Sequence, residues 1–156
     1  MARHPAWTRP WLAGEDFDAI SRAITEAEAG TSAEIRVHLE RHVKHRRWGR
    51  RVDALSRAQR LFTQLGMHRT AGRTGVLVYL ALADRKLAIV GDEGIDARVG
   101  GQYWEQVRDG MVGRLRQGRA VDAIVTAVAD VGRLLARHFP RRPDDVDELP
   151  PEVSTS

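Results

Sequence analysis

The run Gly75-Val76-Leu77-Val78-Tyr79-Leu80-Ala81-Leu82-Ala83 decides the fold, because it is continuously apolar yet only as long as a strand. Such a run predicts a strand buried on both faces at the centre of a sheet. Polar residues appear only at Asp84-Arg85-Lys86, and Leu87-Ala88-Ile89-Val90 follows at once. The two runs therefore predict a hairpin, although its turn lacks Asn-Gly chemistry. The second arm ends at Gly91-Asp92.

Upstream, Glu34-Ile35-Arg36-Val37-His38-Leu39-Glu40 alternates strictly. The alternation predicts another strand, with Ile35, Val37 and Leu39 toward the core and Glu34, Arg36, His38 and Glu40 on a wet face. A basic connection from Arg41 to Arg51 leads into Val52, Leu55, Phe62 and Leu65, which predict a helix stopped by Gly66. An earlier helix, starting at Asp16 and ending near Ala29, carries Phe17, Ile20, Ile24 and Ala27. Beyond Asp92, one helical stripe (Trp104, Val107, Met111, Leu115) and a longer one (Val121, Ile124, Val128, Val131, Leu135) are separated by Gly118. The reading is α/β: a short mixed sheet flanked by helices on both faces, a Rossmann-like α/β/α sandwich. Residues 1–14 form an N-terminal arm whose Trp7 and Trp11 pack on the domain, residues 15–140 the single domain, and residues 141–156 an acidic, poorly ordered tail.

Topology follows from these elements. A strand, a crossover helix and a second strand favour a right-handed parallel pair, after which the hairpin returns antiparallel. Thr31, Ser32 and Glu34 then share one end of the sheet with Arg73, Thr74 and Gly75 and with Gly91 and Asp92. The other end receives the basic connection and Asp84.

Composition narrows the chemistry. A chain of 156 residues fits one core. The absence of cysteine excludes disulfides, thiolate catalysis, iron–sulfur ligation and Cys-based zinc sites, leaving oxygen and imidazole as metal ligands. No apolar stretch has transmembrane length and the first dozen residues lack a secretory signal, so a cytoplasmic protein is expected. All 25 Lys and Arg but only 16 of the 21 Asp and Glu lie within residues 1–143, a net charge of +9 there.

Asp92, followed by Glu93 and Asp96 and joined by Glu34 through topology, supplies hard oxygen ligands of the kind Ca2+ or Mg2+ takes. The loop is not an EF-hand, and Asp92 equally suits the role of N-cap to a short helix. Arg73 at the same end could meet a phosphate, which makes Asp92 and Arg73 catalytic candidates for a metal-dependent phosphatase. No DxD nucleophile, P-loop or His-Arg phosphatase motif accompanies them. His38, His42 and His45 are too loosely spaced to specify a metal site. Residues 36–60 hold nine basic residues against two acids, with Trp48 among them. That patch leaves a charge-driven binder of nucleic acid or an anionic surface, through the basic 41–51 segment, as a further alternative, but no recognised nucleic-acid module comes with it, so a solvated connection and helix face is the leading expectation over a nucleic-acid partner.

The segments Thr31-Ser32-Ala33-Glu34-Ile35-Arg36, Leu65-Gly66-Met67-His68-Arg69-Thr70, Gly75-Val76-Leu77-Val78-Tyr79, Ala88-Ile89-Val90-Gly91-Asp92-Glu93-Gly94-Ile95 and His138-Phe139-Pro140, in that order, resemble the TPM-domain family. The tail Asp147-Glu148-Leu149-Pro150 fits as well, with Asp147 where Asn is expected. The likeness is strongest to its small bacterial members without a signal sequence or membrane anchor. It implies helices on both faces of a short mixed sheet, calcium binding, a proposed acid phosphatase activity on phosphomonoesters, and regulatory or adaptor roles toward protein partners at membranes. In photosynthetic organisms the family is linked to photosystem repair. The resemblance also implies that Glu34 and the Gly91–Gly94 turn line an acidic cleft. The combined expectation is a regulatory or adaptor module that binds a divalent cation.

Overall fold

Strand β2 (Gly75–Ala81) runs through the middle of the computed structural model, and all seven of its residues are buried. The structure describes residues 4–43, 53–69, 74–141 and 153–156. Strand β1 (Glu34–Glu40) lies parallel to β2, Glu34 opposite Gly75 and Glu40 opposite Ala81. Strand β3 (Lys86–Gly91) returns antiparallel, with Gly91 opposite Val76. A short strand β4 (Ser154–Thr155) adds in parallel to the outer edge of β1, giving the order β3-β2-β1-β4. The predicted mixed sheet is present, with one more strand than the apolar pattern reveals.

Helices cover both faces. On one side α1 (Gly14–Glu28), α4 (Gly101–Arg116) and α5 (Ala120–His138) pack on Ile35, Val37, Leu39, Val76, Val78 and Leu80. On the other, α2 (Ala54–Gln64) packs on Leu77, Tyr79, Ala81 and Ala88. Asp53 starts α2 by accepting the Ser56 N–H at 2.7 Å, and Gly66, at φ 73°, turns the chain after it. Gly132 of α5 gives up helix propensity for proximity: a Cβ there would stand 2.6 Å from that of Ala27 on α1. A short helix, α3 (Glu93–Val99), follows β3.

Three expectations change. Glu34, His38 and Glu40 do not face water: they are 4%, 2% and 1% exposed, with Arg57 of α2 over Glu40 and the Ser154 and Ser156 hydroxyls on His38. Leu55, read as core, is 50% exposed, and α2 buries Ala58, Leu61 and Phe62 instead. The tail reading fails for residues 153–156, which pair with β1. In the N-terminal segment Ala6–Thr8 forms a short 3-10 helix, Leu12 is buried, and Trp7 and Trp11 pack against the larger core. Arg73, the basic run Arg46–Arg51 with Trp48, His45, and Asp144–Glu152 lie outside the described residues. Among the described residues no helix is long and apolar enough to cross a membrane.

Candidate functional site

The first candidate is the rim where β1 and β2 begin and β3 ends. Glu34 N–H donates to the Thr74 carbonyl and Asp92 N–H to the Gly75 carbonyl, so Glu34, Gly75 and Asp92 form one row across three strands. Two strand spacings put the outer backbones roughly 10 Å apart. Gly75 contributes no side chain between them, and Met67 lies over it: a Cβ there would meet the Met67 carbonyl at 3.1 Å and its methyl at 3.3 Å. Glu34 and Asp92 therefore start from one rim of the sheet, with the buried Met67 over the glycine between them.

Asp92 takes the N-cap role. Its Oδ1 accepts the Glu93 N–H at 2.8 Å, while its Oδ2 is buried with no hydrogen-bond partner. One turn into α3, the Asp96 carboxylate sits against the Gly91 backbone, where a Cβ would come within 3.0 Å of its Oδ1. Burial raises the pKa of Asp96; the Trp104 indole lowers it in part, and the nearby Asp92 charge raises it further. The Trp104 Nε1–H is itself buried without a partner at hydrogen-bonding geometry. Glu93 is exposed. Among the described residues no three Asp, Glu or His side chains converge as a metal-holding group, so Asp92 and Asp96 form the described heart of the rim. Trp104 also borders a groove of about 450 Å³ beside β3, with Leu55, Leu87, Ile89 and Arg108.

The opposite end of β1 holds a second polar cluster that the sequence reading missed. The Arg57 guanidinium grips Glu40 with two hydrogen bonds, Nε to Oε1 at 2.7 Å and Nη2 to Oε2 at 3.0 Å, and the Tyr79 hydroxyl donates to Oε1 at 2.9 Å. Burial pushes the Glu40 carboxyl up, but hydrogen bonds from Arg57, Ser156 and Tyr79 and the Arg57 charge together hold it below its ordinary value. Burial, then the Glu40 carboxylate, raises the Tyr79 phenol. Because the ionised Glu40 can only accept, Ser156 commits its proton to Oε2 at 2.8 Å and accepts from His38 Nε2–H at 2.7 Å. In the neutral ring, Nδ1 then accepts from the Ser154 hydroxyl at 2.7 Å, and Ser154 accepts from Arg36 Nε–H at 3.3 Å. The shorter hydrogen bonds thus run from Arg36 to Glu40, with the Val37 carbonyl a second, longer acceptor for the Ser154 hydroxyl at 3.4 Å. His38 does not join His42, whose Nδ1 meets Asp84 at 2.8 Å beyond the strand end.

With this architecture in place, the match to a family model named TPM phosphatase and described as TPM domain spans residues 11–134. The chain belongs to the TPM-domain family. Among solved structures it is similar to the BA42 protein of the psychrophilic bacterium Bizionia argentinensis, at 36% identity and TM-score 0.83, covering 94% of this chain and 96% of that one. The N-terminal domain of the cg2496 protein of Corynebacterium glutamicum shares the fold at 17% identity and TM-score 0.61, covering 86% of each chain. So does the N-terminal domain of a P. gingivalis protein, at 15% and 0.67, covering 85% of this TPM domain chain and 82% of the other. No curated protein matches the sequence.

Proposed function

We propose that this TPM-domain protein is a cytoplasmic regulatory or adaptor module that holds a divalent cation, Ca2+ or Mg2+, at the Asp92 rim. The observation that carries the reading is the buried, unpartnered Oδ2 of Asp92. A buried carboxylate oxygen without a partner carries an uncompensated desolvation penalty, and a hard cation removes it. The raised Asp96 pKa adds support, since part of it comes from the charge of Asp92 and a cation relieves that repulsion. In this reading Asp92 and Asp96 are the two protein ligands, Glu93 and Glu34 add negative charge to the rim without reaching the ion, and water fills the remaining positions. Titration calorimetry with CaCl2 and MgCl2 tests it. The wild type should give saturable heat and Asp92→Asn, which keeps a capping side chain, should give none. A wild type without heat for either ion overturns the reading.

The phosphatase wording of the family model supports a second reading, a metal-dependent phosphatase acting on phosphomonoesters. The same cation would activate water and Arg73 would meet the phosphoryl oxygens. Purified protein should then hydrolyse p-nitrophenyl phosphate, and both EDTA and Asp92→Asn should abolish the activity; turnover that survives both removes this reading.

A further inference from the structure

We propose that the outer edge of β1 is a peptide-binding edge that reads hydroxyl side chains at alternate positions, and that residues 153–156 are its resident occupant. The inference is independent of the cation rim at the other end of the strand. Two features of a recognition site are present. Main-chain pairing supplies sequence-tolerant attachment: His38 and Leu39 align with Ser154 and Thr155, and the Ser156 N–H donates to the Leu39 carbonyl at 3.1 Å. Side chains supply selectivity, because residues two apart on a strand point to the same face. Ser154 and Ser156 meet the two nitrogens of one buried imidazole, each at 2.7 Å.

The chemistry of the two positions differs. At Ser156 the group must accept from His38 Nε2–H and donate to Glu40 Oε2, which a hydroxyl does and a methyl cannot. At Ser154 it accepts from Arg36 and holds its one proton between Nδ1 at 2.7 Å and the Val37 carbonyl at 3.4 Å. The matching ligand is an extended segment with Ser at i and i+2, supplied by a partner protein. The resident strand pairs through only two residues of β4, so its main-chain hold on the edge is short and the hydroxyl contacts carry most of its selectivity. Tethering gives the resident copy a high effective concentration, which makes it a latch over the edge.

The test uses the full-length chain and a fluorescein-labelled peptide Pro-Pro-Glu-Val-Ser-Thr-Ser, followed by anisotropy. The Ser154→Ala/Ser156→Ala protein, whose own strand is weakened, should bind the peptide at least tenfold more tightly than the wild type. A peptide with Ala at both Ser positions should bind neither protein. Equal binding to the two proteins, binding to neither, or equal binding of the Ala peptide overturns the proposal. Should the double variant fail to show the wild-type circular dichroism spectrum, the wild type decides: millimolar peptide should speed hydrogen exchange at the Ser156 amide. Unchanged exchange overturns the proposal.

Discussion

The two ends of β1 bury charge in opposite ways. At the Glu40 end every carboxylate oxygen is met: Arg57 is bidentate, and Tyr79 and Ser156 complete the set. At the Asp92 end, one carboxylate oxygen is buried with no partner. Satisfied burial is what a structural cluster needs, since a buried ion pair survives only when its remaining donors and acceptors are filled. Burial left incomplete marks a place where something else is meant to sit. The two ends of the sheet thus separate into a cluster whose partners are all supplied by the chain itself and a rim that points to a further ligand.

The largest expected effect breaks the satisfied end. Glu40→Ala strands the Arg57 guanidinium and should cost about 3–5 kcal/mol in urea unfolding, whereas Asp92→Asn in cation-free buffer should change stability by less than ~1 kcal/mol because the cap survives. Similar losses in both variants would erase the contrast. The next effect is in acid. The Glu40 carboxyl lies below its ordinary value of 4.5 in the fold, so its contribution is complete above that pH and is lost as pH falls through the folded value. Glu40→Gln should flatten the acid limb of a plot of stability against pH, and an unchanged limb would move the acid sensitivity elsewhere.

The smallest effect has the opposite sign. Asp96 is raised above 3.8, so the folded state binds its proton more tightly than the unfolded chain, and stability falls as pH rises from 3.8 through the folded value. Asp96→Asn should therefore raise Tm slightly at pH 7 in EDTA and leave it unchanged at pH 3. A lower Tm at pH 7 would show that Asp96 is a stabilising partner rather than a repelled neighbour.

Legibility in the sequence followed the range of the interactions. β2 was readable because its own apolarity dictates burial. The shared rim was readable because parallel and antiparallel pairing fix which strand ends meet. The polar face of β1 misled: alternation reports that Glu34, Arg36, His38 and Glu40 share a side, not whether that side is wet. The burial of His38 and Glu40 depends on Arg57, 17 residues beyond Glu40, and on Ser156, 116 residues beyond it. Helices expected on both faces already required that side to be covered, and this was the signal available. β4 was hidden because Ser154-Thr155-Ser156 follows a run of acids and prolines and has no apolar pattern of its own. Leu55 fits the helical spacing yet lies at the exposed start of α2, beside the groove at β3.

The most direct test follows backbone amides by 1H–15N NMR while CaCl2 is added to the wild-type chain. The account predicts saturable shifts at Gly91–Asp96, none at Val37–Glu40, and no shifts anywhere in Asp92→Asn. Shifts centred on Glu40, or a spectrum that calcium and magnesium both leave unmoved, would contradict it.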